Sequence, residues 1–390
     1  MPKKYLLRSL FALSCSLLLS LSMARPSAPI AAPSAAPIPP PPAIAAKGYV
    51  LLDAFSGHIL VGQNDNDRME PASLTKLMTA YAVFHALRDG KLRLDQAIPI
   101  STHAWKAEGS RTFVDVGSQV RVDLLIQGMI VQSGNDATIA LAEAVAGSED
   151  TFAILMNQYA QRLGLKGSHW TNSTGLPDPQ HYTTARDIGI LGAAIVREFP
   201  EYYKWYSQRE FTYNNITQQN RNGLLERDPT VDGIKTGHTE SAGYCLATSA
   251  LRGGMRLVSV VLGTASPKAR EDASAALLGY GFSFYESRRL YSHGQAIGSA
   301  HVFKTGDPVA VTVHEDAYAT APRGQLGLAK AQLYLNQRLI APLTANTTVG
   351  HLRVSVGDTT IADLAVFPSA DVPKGNIFRQ LVDTIKLWFQ

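Results

Sequence analysis

Three short strings in this chain hold residue types able to transfer an acyl group. The first is Ser73-Leu74-Thr75-Lys76. With 28 Ser and 14 Lys among 390 residues, about one Ser-x-x-Lys match arises by chance, so the string counts only through its surroundings. Pro71-Ala72 precedes it, and a helical pattern opens at the serine, with Leu74, Leu77, Met78, Tyr81, Phe84 and Leu87 in step before Gly90. Ser73 and Lys76 then stand one turn apart on one face. A serine at a helix start has a backbone N–H without a helical partner, available to an oxyanion. Its hydroxyl is a weak nucleophile until a base takes the proton. The chain has no Gly-x-Ser-x-Gly elbow and no His close to Ser73, which leaves Lys76 as the local base. A lysine serves when burial and a nearby cation depress its pKa, so a second cation is expected in the site.

The second string, Ser133-Gly134-Asn135, is a polar triplet between the helical patterns Asp123–Val131 and Asp136–Val145. By itself it reads as readily as a helix N-cap. The third, Lys235-Thr236-Gly237, supplies the missing cation, a hydroxyl and a glycine that admits a ligand close to the backbone. Lys304-Thr305-Gly306 spells the same triplet, but Asp307-Pro308 follows it in a β-patterned region, the setting of a hairpin turn. Only the first copy leads into two strand-like runs, Gly243–Ser249 and Arg256–Gly263, joined by Gly253-Gly254.

The elements that must position these residues form two textures. From Gly48–Asp53 and His58–Gly62, read as strands, the chain runs through helical patterns at about 150–163, 184–197 and 268–285. Beyond Ser292 come short alternating runs, Val309–Val313, Ala331–Leu335, Thr348–Val356 and Ile361–Val366, the pattern of a small all-β module. Such a length at 45% hydrophobic and 17% charged residues is enough for more than one core and excludes a disordered acidic chain or a disulfide-stapled miniprotein. Residues 1–24 read as a secretory signal: Lys3, Lys4 and Arg8, an apolar run from Leu10 to Leu21, then Ser22-Met23-Ala24. Without them the charge of +4 falls to +1, and no basic cluster remains for nucleic acid. Cys245 is then the sole cysteine, expected as a small buried apolar residue. The Pro/Ala-rich stretch 25–46 reads as an extended spacer, with order beginning near Lys47. At the other end Ile377, Phe378, Leu381, Val382, Ile385, Trp388 and Phe389 share one helical arc. Such a helix is too short to span a bilayer but suits its interface, and packing on the β module is the alternative.

Ser-x-x-Lys, Ser-x-Asn and Lys-Thr-Gly in this order, with Ser133 60 residues after Ser73 and Lys235 102 residues after Ser133, form the motif set of penicillin-binding proteins and class A β-lactamases. The chain resembles the low-molecular-mass penicillin-binding proteins, the serine D-alanyl-D-alanine carboxypeptidase group, over nearly its whole mature length. Pro71 to Lys76 and Asp232-Gly233-Ile234-Lys235-Thr236-Gly237-His238 carry the likeness most closely.

That resemblance implies an α+β fold: an antiparallel sheet with flanking helices and a helical lobe at 47–288, a small all-β domain at 292–374, and a membrane-anchoring amphipathic helix at 375–390. It implies Ser73, Lys76 and Ser133 as catalytic residues, and Asn135, Lys235, Thr236, Gly237, His238 and Arg270 as substrate-binding ones, with no metal or cofactor. The expected substrates are peptidoglycan stem peptides ending in D-Ala-D-Ala, with β-lactams as covalent inhibitors and no nucleic acid. The expected place is the periplasm, on the outer face of the cytoplasmic membrane. Cleavage of D-alanyl cross-links by the same chemistry is the alternative. A class A β-lactamase is the remoter one, since no Glu-x-x-Leu-Asn string lies between Ser133 and Lys235.

Overall fold

The structure, a computed structural model, describes residues 38–388 apart from Asp307. The signal reading of 1–24 and the first part of the 25–46 segment lie outside the described residues.

Strands Gly48–Asp53 (β1) and Ile59–Gln63 (β2) open the chain. A helical lobe follows, with Lys76–Arg88 (α1), Asn135–Ala146 (α2) and Glu149–Leu163 (α3). Helix Ala185–Glu198 (α4) leads back to three long strands, Val231–Thr239 (β3), Gly243–Arg252 (β4) and Met255–Thr264 (β5), and then to helix Pro267–Phe284 (α5). The strands make one antiparallel sheet in the order β2-β1-β5-β4-β3.

Alternate residues of a strand face opposite sides, and both sides of this sheet are covered. Val50, Leu52, Val258 and Val260 join the larger core with α1 and α4, whereas Leu51, Leu257, Val261 and Leu246 pack beneath α5. That explains why β1 is buried at every position. Strand β3 is an edge: β4 pairs with one side of it, and it carries Lys235, Thr236 and Gly237. Cys245 is fully buried in β4, as its apolar neighbours implied.

The second domain begins earlier than the sequence texture indicates. Strand Tyr285–Tyr291 (β6), in the stretch read as the end of the catalytic domain, pairs with Ala317–Pro322. A five-stranded sheet accompanies it, built from 296–300, 309–312, 359–368, 350–356 and 330–335 in that order. A 2.7 Å bond between Ser56 Oγ and Thr320 Oγ1 ties the two domains together. The described part of the Pro/Ala stretch also departs from a free spacer. Ile38, Ile44 and Ala46 rest against the core beneath α5, and Tyr280 donates its hydroxyl to Pro39 O at 3.0 Å. Three small apolar side chains are enough for a proline-stiffened segment to dock, because little chain entropy is lost.

Candidate active site

Ser73 lies in a short 3₁₀ turn, Ala72–Thr75, ahead of α1 rather than in the α-helix itself. The difference has a chemical consequence. A 3₁₀ turn has three residues per revolution, so residues i and i+3 eclipse, and Lys76 stands directly over Ser73. Its Nζ is 3.1 Å from Ser73 Oγ, 2.7 Å from Asn135 Oδ1 and 2.7 Å from the Thr174 carbonyl. The last two partners only accept. In the uncharged form of the amine they would take both of its N–H groups and leave the lone pair for the serine hydroxyl. Lys76 is 1% exposed, and burial first, then the positive charge of Arg221, push its pKa down to about 7. Lys235, 3% exposed, is pushed well below the ordinary lysine range by burial and then by Lys76, Arg221 and Arg270. The cation that acts on Lys76 is thus Arg221 rather than Lys235, whose own pKa the Lys76 charge helps to depress.

The middle motif is no N-cap. The helix before it loosens into a π turn at Gly128–Gln132 and ends at Ser133, held in the left-handed region at φ +67°. Gly134 occupies the cap position without a side-chain bond. Ser133 Oγ is buried and has no hydrogen-bond partner among the described residues. A buried hydroxyl left unpaired at a strained backbone position makes Ser133 a candidate functional group. Asn135 meanwhile bridges Lys76 to the loop at 105–113, its Nδ2 donating to Glu108 O at 2.5 Å. Asp136 fixes the same loop by accepting from the backbone N–H groups of Thr112, Phe113 and Val114.

The third motif closes the other wall. Ser73, Ser133, Thr236, Gly237, His238 and Arg270 line one cleft of about 670 Å³, with Gly109, Ser110, Arg221 and Tyr244. Asn135, Lys76 and Lys235 stand behind this lining. Gly237 runs so close to the nucleophile turn that a side chain there would meet Pro71 O at 3.0 Å. The His238 ring lies on Tyr244, centroids 4.0 Å apart. Arg270 reaches in from α5, its Nη2 donating to Arg221 O at 3.1 Å, and its buried Nε has no partner among the described residues. The Lys304 triplet lies in the second domain, in the connection between strands 296–300 and 309–312.

Two parts of the site escaped the sequence. Arg221, in the turn Arg221-Asn222-Gly223, had no local signal, because a lone arginine in a polar stretch has no pattern. The segment 171–176 supplies the carbonyl that holds Lys76. Asn172 Oδ1 accepts from Thr174 N, Thr174 Oγ1 and Gly175 N, and Glu149 Oε1 accepts from Ser173 N and Oγ. Its Asn-Ser-Thr-Gly composition marks a turn, but nothing in it points to a lysine almost a hundred residues away.

Residues 35–266 match the peptidase S11 family, D-alanyl-D-alanine carboxypeptidase, and residues 285–374 match the penicillin-binding protein 5 C-terminal domain. The chain belongs to this carboxypeptidase family. It is 42% identical over 361 residues to D-alanyl-D-alanine carboxypeptidase DacA of Escherichia coli (strain K12), covering 90% of each chain. Among solved structures, penicillin binding protein 5 from Haemophilus influenzae is 41% identical, covers 86% of this chain and 99% of its own, and superposes with a TM-score of 0.78. Penicillin-binding protein D2 from Listeria monocytogenes, in its ampicillin-bound form, covers 63% of this chain and all of its own at 27% identity and a TM-score of 0.58. The α+β fold with an all-β second domain, implied by the resemblance and by the alternating runs of the second half, is the fold of this family.

Proposed function

We propose that the serine-type D-alanyl-D-alanine carboxypeptidase reaction of this chain runs through Ser73 and Lys76. The uncharged Lys76 amine takes the Ser73 proton as Oγ attacks the carbonyl of the penultimate D-Ala in a peptidoglycan stem peptide. Backbone N–H groups of Ser73 and His238 receive the oxyanion, each donor contributing about 3–4 kcal/mol. Ser133, whose unpaired Oγ lines the cleft, relays the proton from Lys76 to the leaving D-Ala nitrogen as the C–N bond breaks, Lys235 and Asn135 organising the site. Thr236 and Arg270 hold that residue's carboxylate through charge-assisted bonds. Water then hydrolyses the acyl-serine ester. A β-lactam enters by the same attack, its ring amide standing in for the dipeptide end.

The observation that carries this reading is the 3.1 Å approach of Lys76 Nζ to Ser73 Oγ beside two acceptor-only partners. The protein incubated with a pentapeptide should release free D-Ala, and Ser73→Ala should abolish release. Brief exposure to penicillin should add one adduct, mapped to the peptide holding Ser73. Labelling elsewhere, or of the Ser73→Ala protein, overturns the assignment.

We also propose a periplasmic location on a membrane surface. Helix Ile377–Trp388 (α6) turns its polar side to the β domain, where Asp383 Oδ2 accepts from Lys304 N at 2.6 Å. Ile377 and Phe378 on its apolar side are 85% and 75% exposed. Among the described residues no helix is long and apolar enough to cross a membrane, so attachment would be interfacial.

A further inference from the structure

His181 is a buried histidine outside the three motifs, and it joins the two pieces of backbone that grip the serine and the lysine. Its ring is 2% exposed. Nε2 lies 2.8 Å from Thr75 Oγ1, and Nδ1 lies 3.1 Å from both the N and the Oγ1 of Thr171. The bonds fix the tautomer. Thr75 gives its one hydroxyl proton to Ala72 O at 2.8 Å, so its oxygen accepts from Nε2–H. The Thr171 N–H can only donate, so Nδ1 is bare. A second ring proton would confront that amide, and burial pushes the imidazole pKa down to about 4, which keeps the ring neutral near pH 7.

The two partners are informative. Thr75 sits between Ser73 and Lys76 in the nucleophile turn. Thr171 opens the segment whose Thr174 carbonyl accepts from Lys76 Nζ. The same two pieces meet again at Gly175, where a side chain would come within 1.8 Å of Ala72 O. The Oγ–Nζ distance thus depends on two anchors: the turn, which carries Ser73 and the root of Lys76, and Thr174 O, which holds the tip of the amine. If the segment drifts from the turn, the amine drifts with it.

We propose that His181 is a positioning residue for the Ser73–Lys76 proton transfer, clamping the turn 72–75 to the segment 171–176. The inference rests on the Ser73–Lys76 reading above. It concerns the alignment of reacting groups, and a displacement near 1 Å there costs up to about a hundredfold in rate.

Acylation by a labelled penicillin tests it, resolved into a saturating rate constant and a pre-covalent dissociation constant, with Tm measured alongside. His181→Leu fills the space without polar atoms, and Thr75→Val removes the same bond from the other side. Each should lower the saturating rate constant about ten- to a hundredfold with the dissociation constant within about twofold, and the double variant should lose no more than either single one. His181→Gln offers an amide N–H to Thr75 and an oxygen to the Thr171 N–H, and should restore the rate to within about threefold. A merely structural role would lower Tm and leave the rate constant of the folded protein unchanged. Wild-type acylation by His181→Leu, a Gln variant as slow as Leu, or multiplying losses in the double variant would each overturn the proposal. Should the Leu protein not fold, an unchanged rate in Thr75→Val does the same. Labelling of the Ser73→Ala protein would instead defeat the underlying reading, so the two failures are distinguishable.

Discussion

The reactive centre owes its character to crowding of like charge in a dry place. Lys76, Lys235, Arg221 and Arg270 meet at one cleft, and burial is the largest cause of the lowered pKa of each. The ammonium is the form that burial and a neighbouring cation disfavour. Lys76 therefore loses its proton as pH rises through about 7, and only the uncharged amine can take the serine proton. Penicillin acylation measured from pH 5 to 9 should climb to a plateau with its midpoint near 7, and a flat or falling profile would refute the role of Lys76 as base. Arg221 adds a second, separable expectation, because its charge is the second cause of the Lys76 shift. In Arg221→Gln the midpoint should move to higher pH, read in the same profile. Arg270, proposed to hold the substrate's carboxylate, is not among the charges that shift Lys76. Charge-assisted bonds are each worth about 1.5–3 kcal/mol, so Arg270→Gln should cut kcat/KM on a peptide with a free terminal carboxylate roughly ten- to a hundredfold. It should matter far less for a substrate whose terminus is amidated, and equal losses on the two would remove Arg270 from carboxylate recognition.

At the scale of elements, legibility followed pattern. The strand pair ahead of the serine, the helices over 185–198 and 267–284, and the central pair β4 and β5 announce themselves because burial imposes strict periodicity. Strand β3, which carries the third motif, does not. Val231 to Thr239 holds two glycines, an Asp and a Lys, since a strand at a sheet edge beside a cleft is shaped by its ligand as much as by a core. The hairpin Glu210–Tyr213 with Ile216–Gln219 was missed for a different reason: its strands are polar, though Asn214-Asn215, both at positive φ, is a turn signal that could have revealed it. The helix start is less regular than its pattern implies: the 3₁₀ turn that brings Lys76 over Ser73 lies against the segment 171–176. Gly175 is where that contact is tightest. It sits at φ +86°, and an added methyl would lie 1.8 Å from Ala72 O, so no side-chain adjustment relieves the overlap. Gly175→Ala should push the segment off the turn, lowering penicillin acylation at least about tenfold while the far-UV circular dichroism stays that of the wild type. Wild-type acylation would show that the segment does not set the geometry.

Across the whole molecule, the proposed membrane attachment rests on the terminal helix. The repeated Lys-Thr-Gly string illustrates how context overrides spelling: in β3 it faces the cleft, whereas Lys304 turns its backbone N–H to Asp383 of α6. Asp383 is the buried polar residue of that helix, and Leu381 and Ile385 on the other side are 61% and 49% exposed. The helix is thus docked by its polar face, and its apolar face is directed outward in the folded protein. Fully burying one large apolar side chain is worth about 1.5–3 kcal/mol, and Ile377, Phe378, Leu381 and Ile385 together would hold the chain on a bilayer without lipid-specific contacts. Attachment of this kind depends little on charge. The full chain should therefore co-sediment with uncharged phosphatidylcholine vesicles, and raising the salt to 0.5 M should release little of it. Deleting residues 376–390, or the pair Leu381→Glu and Ile385→Glu, should leave the protein in the supernatant with hydrolysis of a soluble pentapeptide unchanged, because neither change reaches the cleft. Retention of the deleted form on vesicles would move the attachment site elsewhere in the chain. Loss of peptide hydrolysis would show instead that the helix supports the fold of the catalytic domain, a role its exposed apolar side chains do not fit.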